Sequence, residues 1–108
     1  MDKNALAEEI SANGAKYGNE YTKLVKELID LYDVIEKLTT SVKNANKNLV
    51  KSMIACYEGM LTKGQMGEEK LKYGTARDSF IKHSVKLNEA RNLASIVEKQ
   101  IEAIKAQG

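Results

Sequence analysis

The sequence has no proline, no tryptophan, one cysteine, one phenylalanine and one histidine in 108 residues. A single cysteine and a single histidine exclude a disulfide framework and a zinc ribbon, because both need several such residues. Proline costs about 3 kcal/mol in a helix interior, so its absence allows long helices. No apolar run approaches the roughly 18 residues that a membrane-spanning helix needs. These absences leave a helical globular protein as the simplest interpretation.

The first ten residues, MDKNALAEEI, carry charges where a secretory signal peptide needs an apolar core. The net charge of +2 is too small, by itself, to indicate nucleic acid or an anionic membrane as the partner. We therefore predict a cytoplasmic protein, with specialised secretion as the alternative.

Glycine is the main helix-interrupting residue of this chain, with seven residues at positions 14, 18, 59, 64, 67, 74 and 108. They predict an all-α single domain, 1–108, with a short helix at 3–13, a long helix at 19–58, a turn at 59–67 and a long helix at 68–107. Thr75, followed by Asp78, offers a later start for the last helix. Because the turn is short, the two long helices should form a long antiparallel, coiled-coil-like hairpin.

Both long helices carry apolar residues at alternating steps of three and four, as in a heptad seam. The first seam is Leu24, Leu28, Leu31, Ile35, Leu38, Val42, Ala45 and Leu49; the second is Tyr73, Ala76, Phe80, His83, Leu87, Ala90, Ala94, Val97, Ile101 and Ile104. After Leu49 strict spacing demands Ser52, whereas the apolar choices are Met53, Tyr57 and Met60, which predicts a shift of the seam by one residue. Residues 39–48 are poor helix formers and could break the helix, but the continuing seam favours an unbroken one.

Further apolar residues flank the seam, where a two-helix contact leaves them partly exposed. They are Val25, Ile29, Tyr32, Ile54, Ile81, Val85, Leu93 and Ile96. Burying them needs more helices, so we predict that the hairpin pairs with a copy of itself into a four-helix bundle, or binds another helical protein.

The sequence offers no arrangement of residues that indicates catalysis. His83 lies on the seam between Phe80 and Leu87, and Cys56 has no neighbouring base, so both are interpreted as structural. No paired carboxylates, nucleophile–base pair or phosphate-binding glycine loop is present. We therefore predict a non-enzymatic interaction or scaffold subunit with no metal, no cofactor and no small-molecule substrate.

Charge is segregated along the chain. Residues 1–36 hold four lysines and eight acidic residues, whereas residues 37–86 hold ten Lys or Arg and four acidic residues. The basic part includes Lys43, Lys47, Lys51, Lys72, Arg77, Lys82 and Lys86. Solubility alone accounts for such lysines, but they also suit an acidic protein surface, including the acidic part of a neighbouring copy, or nucleic acid.

The tripeptide Tyr57-Glu58-Gly59, placed at the expected turn of a helical hairpin, resembles the Trp-x-Gly class of small specialised-secretion proteins. Two features depart from that class: Tyr replaces Trp, and Tyr73 is followed by Arg77 where an export signal would have Asp or Glu. The resemblance implies specialised secretion as a further alternative function.

Overall fold

The computed structural model describes the backbone of residues 3–61 and 66–107 and the side chains of residues 3–58 and 70–107. Two helices fill these ranges, α1 at Lys3–Leu61 and α2 at Met66–Gln107, and no strand occurs within them. The predicted all-α fold with two long helices in a hairpin is confirmed.

The N-terminal helix does not end at residue 13. Helix α1 continues through Asn13 and Gly14, and its one non-helical residue is Gly18, with φ 91° and ψ −172°, a region that only glycine readily adopts. The chain reverses there, since Lys3 Nζ lies 3.0 Å from Asp33 Oδ1 and a Cβ on Gly14 would lie 3.2 Å from Thr22 Oγ1. Gly14 therefore permits close packing, and Gly18 makes the turn.

The other predicted boundaries also change. Residues 39–48 are helical, as the unbroken seam predicts. The expected turn at 59–67 is too long at both ends, because α1 continues to Leu61 and α2 begins at Met66; residues 62–65 of that turn lie outside the described residues. Glycine costs only about 1 kcal/mol in a helix, so Gly59 and Gly67 do not end these helices.

Two compact units divide the chain: a terminal unit, Met1–Lys37 with Asn88–Gly108, and a middle unit, Leu38–Leu87. The assignment of the whole chain to one domain stays a prediction. The terminal unit packs three helical segments, residues 3–17, 19–37 and 88–107. Its buried cluster consists of Leu6, Tyr21, Val25, Leu28, Ala94, Val97 and Ile101. Leu6, only 3% exposed, brings the N-terminal segment (residues 3–17) into this core.

Within its described residues the middle unit contains parts of the two long helices and no other element. Among its described side chains only Ala45 and Leu87 are buried apolar residues, while the remaining seam positions are half-buried. The predicted shift of the seam is wrong at Met53 and Tyr57, which are 50% and 65% exposed, whereas Ser52 and Cys56 are half-buried. The side chain of Met60, the third residue of that prediction, lies outside the described residues. The helix keeps its strict register even though this leaves the larger side chains outside.

Candidate interaction surface

The middle unit exposes a set of large apolar side chains, which we call the middle stripe. Its members are Val50, Met53, Ile54, Tyr57, Leu71, Ile81 and Val85, each at least 46% exposed. The four on α1 are spaced i, i+3, i+4 and i+7, which places them on one side of the helix. On α2, Ile81 and Val85 are one turn apart. Periodic exposure of this kind is typical of a surface that another protein covers.

The structure separates the eight predicted stripe residues into two groups. Ile54, Ile81, Val85, Leu93 and Ile96 are 50–54% exposed. Val25, in contrast, is 1% exposed, and Ile29 and Tyr32 pack against the core of the terminal unit. Val25 is therefore corrected from a partly exposed to a buried position, in a core that includes Leu6 of the N-terminal segment, whereas Ile29 and Tyr32 are half-buried, as flanking positions predict. A role for the other five in binding stays a prediction.

Sequence reasoning missed Val50, Met53, Tyr57 and Leu71 as exposed residues. Met53 and Tyr57 were assigned to the seam because they are larger and more apolar than Ser52 and Cys56. A strict continuation of the heptad from Leu49 would have placed both on the flank.

The described basic residues of the middle unit are on its surface. All seven predicted polyanion-binding residues are exposed, namely Lys43, Lys47, Lys51, Lys72, Arg77, Lys82 and Lys86. Arg77 Nε lies 3.8 Å from Asp78 Oδ1. The unit holds nine Lys or Arg and four Asp or Glu, a net charge of +5. The middle stripe is therefore set in a positively charged surface.

A shallow depression of about 440 Å³ lies within the middle unit. It is lined by Asn48 of α1 and by Leu71, Lys72, Thr75, Ala76 and Ser79 of α2. The Thr75 hydroxyl donates to the Leu71 carbonyl oxygen over 3.1 Å, so its hydrogen bond is made within α2. The depression combines apolar and basic lining in the same unit as the middle stripe.

Polar contacts attach the N-terminal segment to the rest of the terminal unit. The Glu9 carboxylate accepts hydrogen bonds from the buried Tyr21 hydroxyl and from Lys105 Nζ, at 3.0 Å. The Tyr21 hydrogen bond, followed by the Lys105 hydrogen bond, lowers the pKa of Glu9. Desolvation and the Glu9 hydrogen bond raise the pKa of Tyr21 to about 12. Glu9 therefore stays ionised and Tyr21 neutral at pH 7, which preserves these contacts.

A second tyrosine–carboxylate pair joins α1 to α2 in the terminal unit. Tyr32 donates to Glu98, and desolvation, followed by this hydrogen bond, raises the pKa of Tyr32 to about 12. Both lie at an open pocket of about 230 Å³, which Leu6, Glu9, Val25, Leu28, Ile101, Glu102 and Lys105 also line. The carboxylates of Glu9 and Glu98 at this pocket therefore accept hydrogen bonds that join the three helical segments of the terminal unit.

His83 and Cys56 occupy half-buried seam positions. His83 Nδ1 lies 2.7 Å from the Ser79 carbonyl oxygen, one turn earlier on α2. In the tautomer that carries its ring hydrogen on Nδ1, this nitrogen donates to that carbonyl. This contact is in keeping with the interpretation of His83 as structural.

Within the described ranges, no group of three or more His, Cys, Asp or Glu residues is placed to hold a metal ion. Neither helix, in the part of the chain that the structure describes, is long and apolar enough to span a bilayer. Comparisons with family models, curated proteins and solved structures found no significant match to this chain.

Proposed function

We propose that this chain is a non-enzymatic interaction subunit that acts by burying the middle stripe against another helical surface. The supporting observation is the packing of the middle unit, where seven large apolar side chains are exposed and two apolar side chains are buried among the described residues. The partner is a second copy or another helical protein. Its action needs no cofactor, and a cytoplasmic location stays a prediction.

The energy of covering this surface is large for a small protein. Fully burying an exposed aliphatic or aromatic side chain contributes about 1.5–3 kcal/mol, and the stripe residues are about half-exposed, so each contributes about 1 kcal/mol. Seven such residues together contribute several kcal/mol, which is comparable with the free energy of unfolding of a whole domain, about 5–15 kcal/mol. Burial of the stripe is therefore a substantial driving force for association, against which the loss of translational and rotational freedom on binding must be set.

Pairing of two copies would bring four long helices together, which is the predicted four-helix bundle. In the terminal unit the N-terminal segment would add to this arrangement, since it already packs on both long helices there. The bundle is thus proposed for the long helices, with the N-terminal segments as an addition.

Photo-crosslinking of the full chain in its native host tests the proposed function. A benzophenone side chain is placed at position 54 or 85, in the middle stripe, and at Ser11 as a control, which is exposed on the N-terminal segment. We expect protein adducts from positions 54 and 85 and none from position 11. No adduct at either stripe position, or equal adducts at all three, would contradict the proposal.

The net charge of +5 on the middle unit favours a second candidate, binding to nucleic acid or to an acidic protein surface. Phosphate contacts made by lysine weaken steeply as salt rises. Fluorescence anisotropy with duplex DNA should then show binding that is strong in about 50 mM salt and lost in about 200 mM. No binding in low salt would eliminate nucleic acid as the partner.

The alternative of a secreted Trp-x-Gly-like protein gains no further support. Tyr57-Glu58-Gly59 lies inside α1, which ends at Leu61, rather than in a turn. The position of the motif in the expected turn is therefore corrected, and the secretion role stays a prediction.

A further inference from the structure

The N-terminal segment (residues 3–17) is connected to residues 19–37 through one non-helical residue, Gly18. With φ 91° and ψ −172° this glycine reverses the chain. Glycine adopts positive and negative φ about equally readily, and the sequence has no proline that would prevent a helical conformation there. A change of conformation at this single residue would therefore make α1 a straight, continuous helix.

The contacts that hold the N-terminal segment are centred on this hinge. Lys3 Nζ lies 3.0 Å from Asp33 Oδ1, and a Cβ on Gly14 would lie 3.2 Å from Thr22 Oγ1. Residue 18 is midway between the two members of each pair. Two straight antiparallel helices, related by a two-fold axis beside residue 18, bring the same positions together, 3 with 33 and 14 with 22. Contacts within one chain can therefore be made between two chains in the same register.

The two segments also carry their core residues on the same side of a straightened helix. These residues follow one another at steps of three, four or seven. They are Leu6, Ile10, Tyr17, Tyr21, Val25 and Leu28, all of which belong to the core of the terminal unit or pack against it. Such steps place all six on one side of an uninterrupted helix. A straightened α1 therefore has the continuous apolar side that a two-fold antiparallel pair requires.

We propose that two copies of this chain exchange their N-terminal segments. Helix α1 straightens at Gly18, and residues 3–17 of each copy pack on residues 19–37 and 88–107 of the other. Leu6 of one copy then fills the place that Leu6 of the other has left, and the two exchanges close the assembly as a dimer. This inference concerns the terminal unit alone, so it goes beyond the proposed function and does not depend on the middle stripe.

The hinge decides the balance between the closed monomer and the exchanged dimer, because both forms contain the same contacts elsewhere in the terminal unit. Exchange of identical elements is a low-cost route to a dimer, and a short hinge favours it. Association of two chains loses translational and rotational freedom. We therefore expect the closed form at low concentration and the exchanged form at high concentration.

Zero-length carbodiimide crosslinking shows which chain supplies the segment. The reagent joins an amine to a carboxylate in contact with it, and Lys105 Nζ lies 2.9 Å from Glu9 Oε2, as Lys3 Nζ does 3.0 Å from Asp33 Oδ1. Isotope-labelled and unlabelled full chains are unfolded, mixed in equal amounts, refolded together and crosslinked. Mass spectrometry should find unmixed peptide pairs at about 1 µM and a rising share of mixed-isotope pairs, up to about half, at about 500 µM.

Two changes at the hinge should move this balance in opposite directions. Gly18→Ala disfavours φ 91° and favours the straight helix, so mixed pairs should appear at a concentration at least about tenfold lower than in the wild type. A flexible Gly/Ser linker inserted after Gly18 relaxes the reversal and should raise that concentration at least about tenfold. Gly74→Ala, at a helical glycine of the middle unit, is the matched control and should leave it unchanged.

Three outcomes would overturn the exchange. The first is unmixed pairs alone, from both the wild type and Gly18→Ala, at about 500 µM. The second is a Gly18→Ala chain that stays helical by circular dichroism but gives neither crosslink, which would mean that the segment detaches. The third is a dimer by sedimentation whose crosslinks stay unmixed, and this result would leave the proposed function of the middle stripe standing.

Discussion

The terminal and middle units are built from the same two long helices, and in both units the heptad seam joins α1 to α2. Only the terminal unit, however, has a well-buried core. In the terminal unit the N-terminal segment packs on that pair and completes a cluster of seven buried residues. In the middle unit no described third segment is present, and seven of the ten exposed large apolar side chains among the described residues lie there. A two-helix seam of this composition therefore needs a third element, supplied internally in one unit and, by our proposal, by a binding partner in the other.

The largest expected difference between the units comes from truncating one leucine in each. Leu6→Ala removes a side chain that is 3% exposed, whereas Leu71→Ala removes one that is 73% exposed. We expect Leu6→Ala to lower the free energy of unfolding by about 2–5 kcal/mol and Leu71→Ala to change it by less than about 0.5 kcal/mol. Urea denaturation at a concentration where the chain is monomeric measures both. Equal losses would contradict the difference in packing.

A smaller effect on stability is expected from a substitution at Gly18, where the chain reverses direction. An alanine there would have to adopt φ 91°, so Gly18→Ala should lower the free energy of unfolding by about 1–3 kcal/mol. Gly74→Ala is the matched control, since Gly74 is helical and a Cβ there meets nothing within 4 Å. The control should raise stability by about 0.5–1 kcal/mol. If Gly18→Ala were as stable as the wild type, the N-terminal segment would not be held by this turn.

The smallest effect is expected from the carboxylate that attaches the N-terminal segment. Hydrogen bonds lower the pKa of Glu9 in the folded chain from its ordinary value of 4.5, so its contribution is present above pH 4.5 and is lost as the pH falls through the folded pKa. The stability that the wild type loses when Glu9 is protonated is on the order of 1 kcal/mol. Thermal melts between pH 6 and about pH 3 should therefore show a smaller loss of stability in Glu9→Gln than in the wild type. Tyr21→Phe, which removes one of the two hydrogen bonds to Glu9, should reduce this loss of stability in part. An unchanged loss in Glu9→Gln would show that this contact does not stabilise the unit.

Much of the fold follows from the sequence because the heptad pattern is long and no proline interrupts it. Every predicted seam residue from Leu24 to Leu49 and from Tyr73 to Ile104 is buried or half-buried. The chain reversal is harder to place from the sequence, because either Gly14 or Gly18 could make it, and the two are told apart only in the folded chain, by the positive φ of Gly18 and the packing of Gly14 against Thr22. The seam shift failed because helix phase, fixed by the preceding heptads, outweighed the preference for burying Met53 and Tyr57.

The interaction surface could be predicted only in part. Ile54, Ile81 and Val85 were identified from their flanking positions, which depend on helix periodicity alone. Val25 has the same kind of position, but it is buried in a core that includes Leu6 of the N-terminal segment, and Ile29 and Tyr32 pack, partly buried, against that core. That contact joins residues far apart in the sequence, such as Glu9 and Lys105, and no local pattern encodes it.

Hydrogen exchange of the full chain, followed residue by residue, tests the central claim that the middle unit lacks the cover that the terminal unit has. In the monomer, at high dilution, we expect backbone amides around Val25 and Val97 to exchange about a hundredfold more slowly than those around Ala45 and Phe80. At concentrations that favour association, the second pair should become protected. Equal protection of both units in the monomer would contradict the claim.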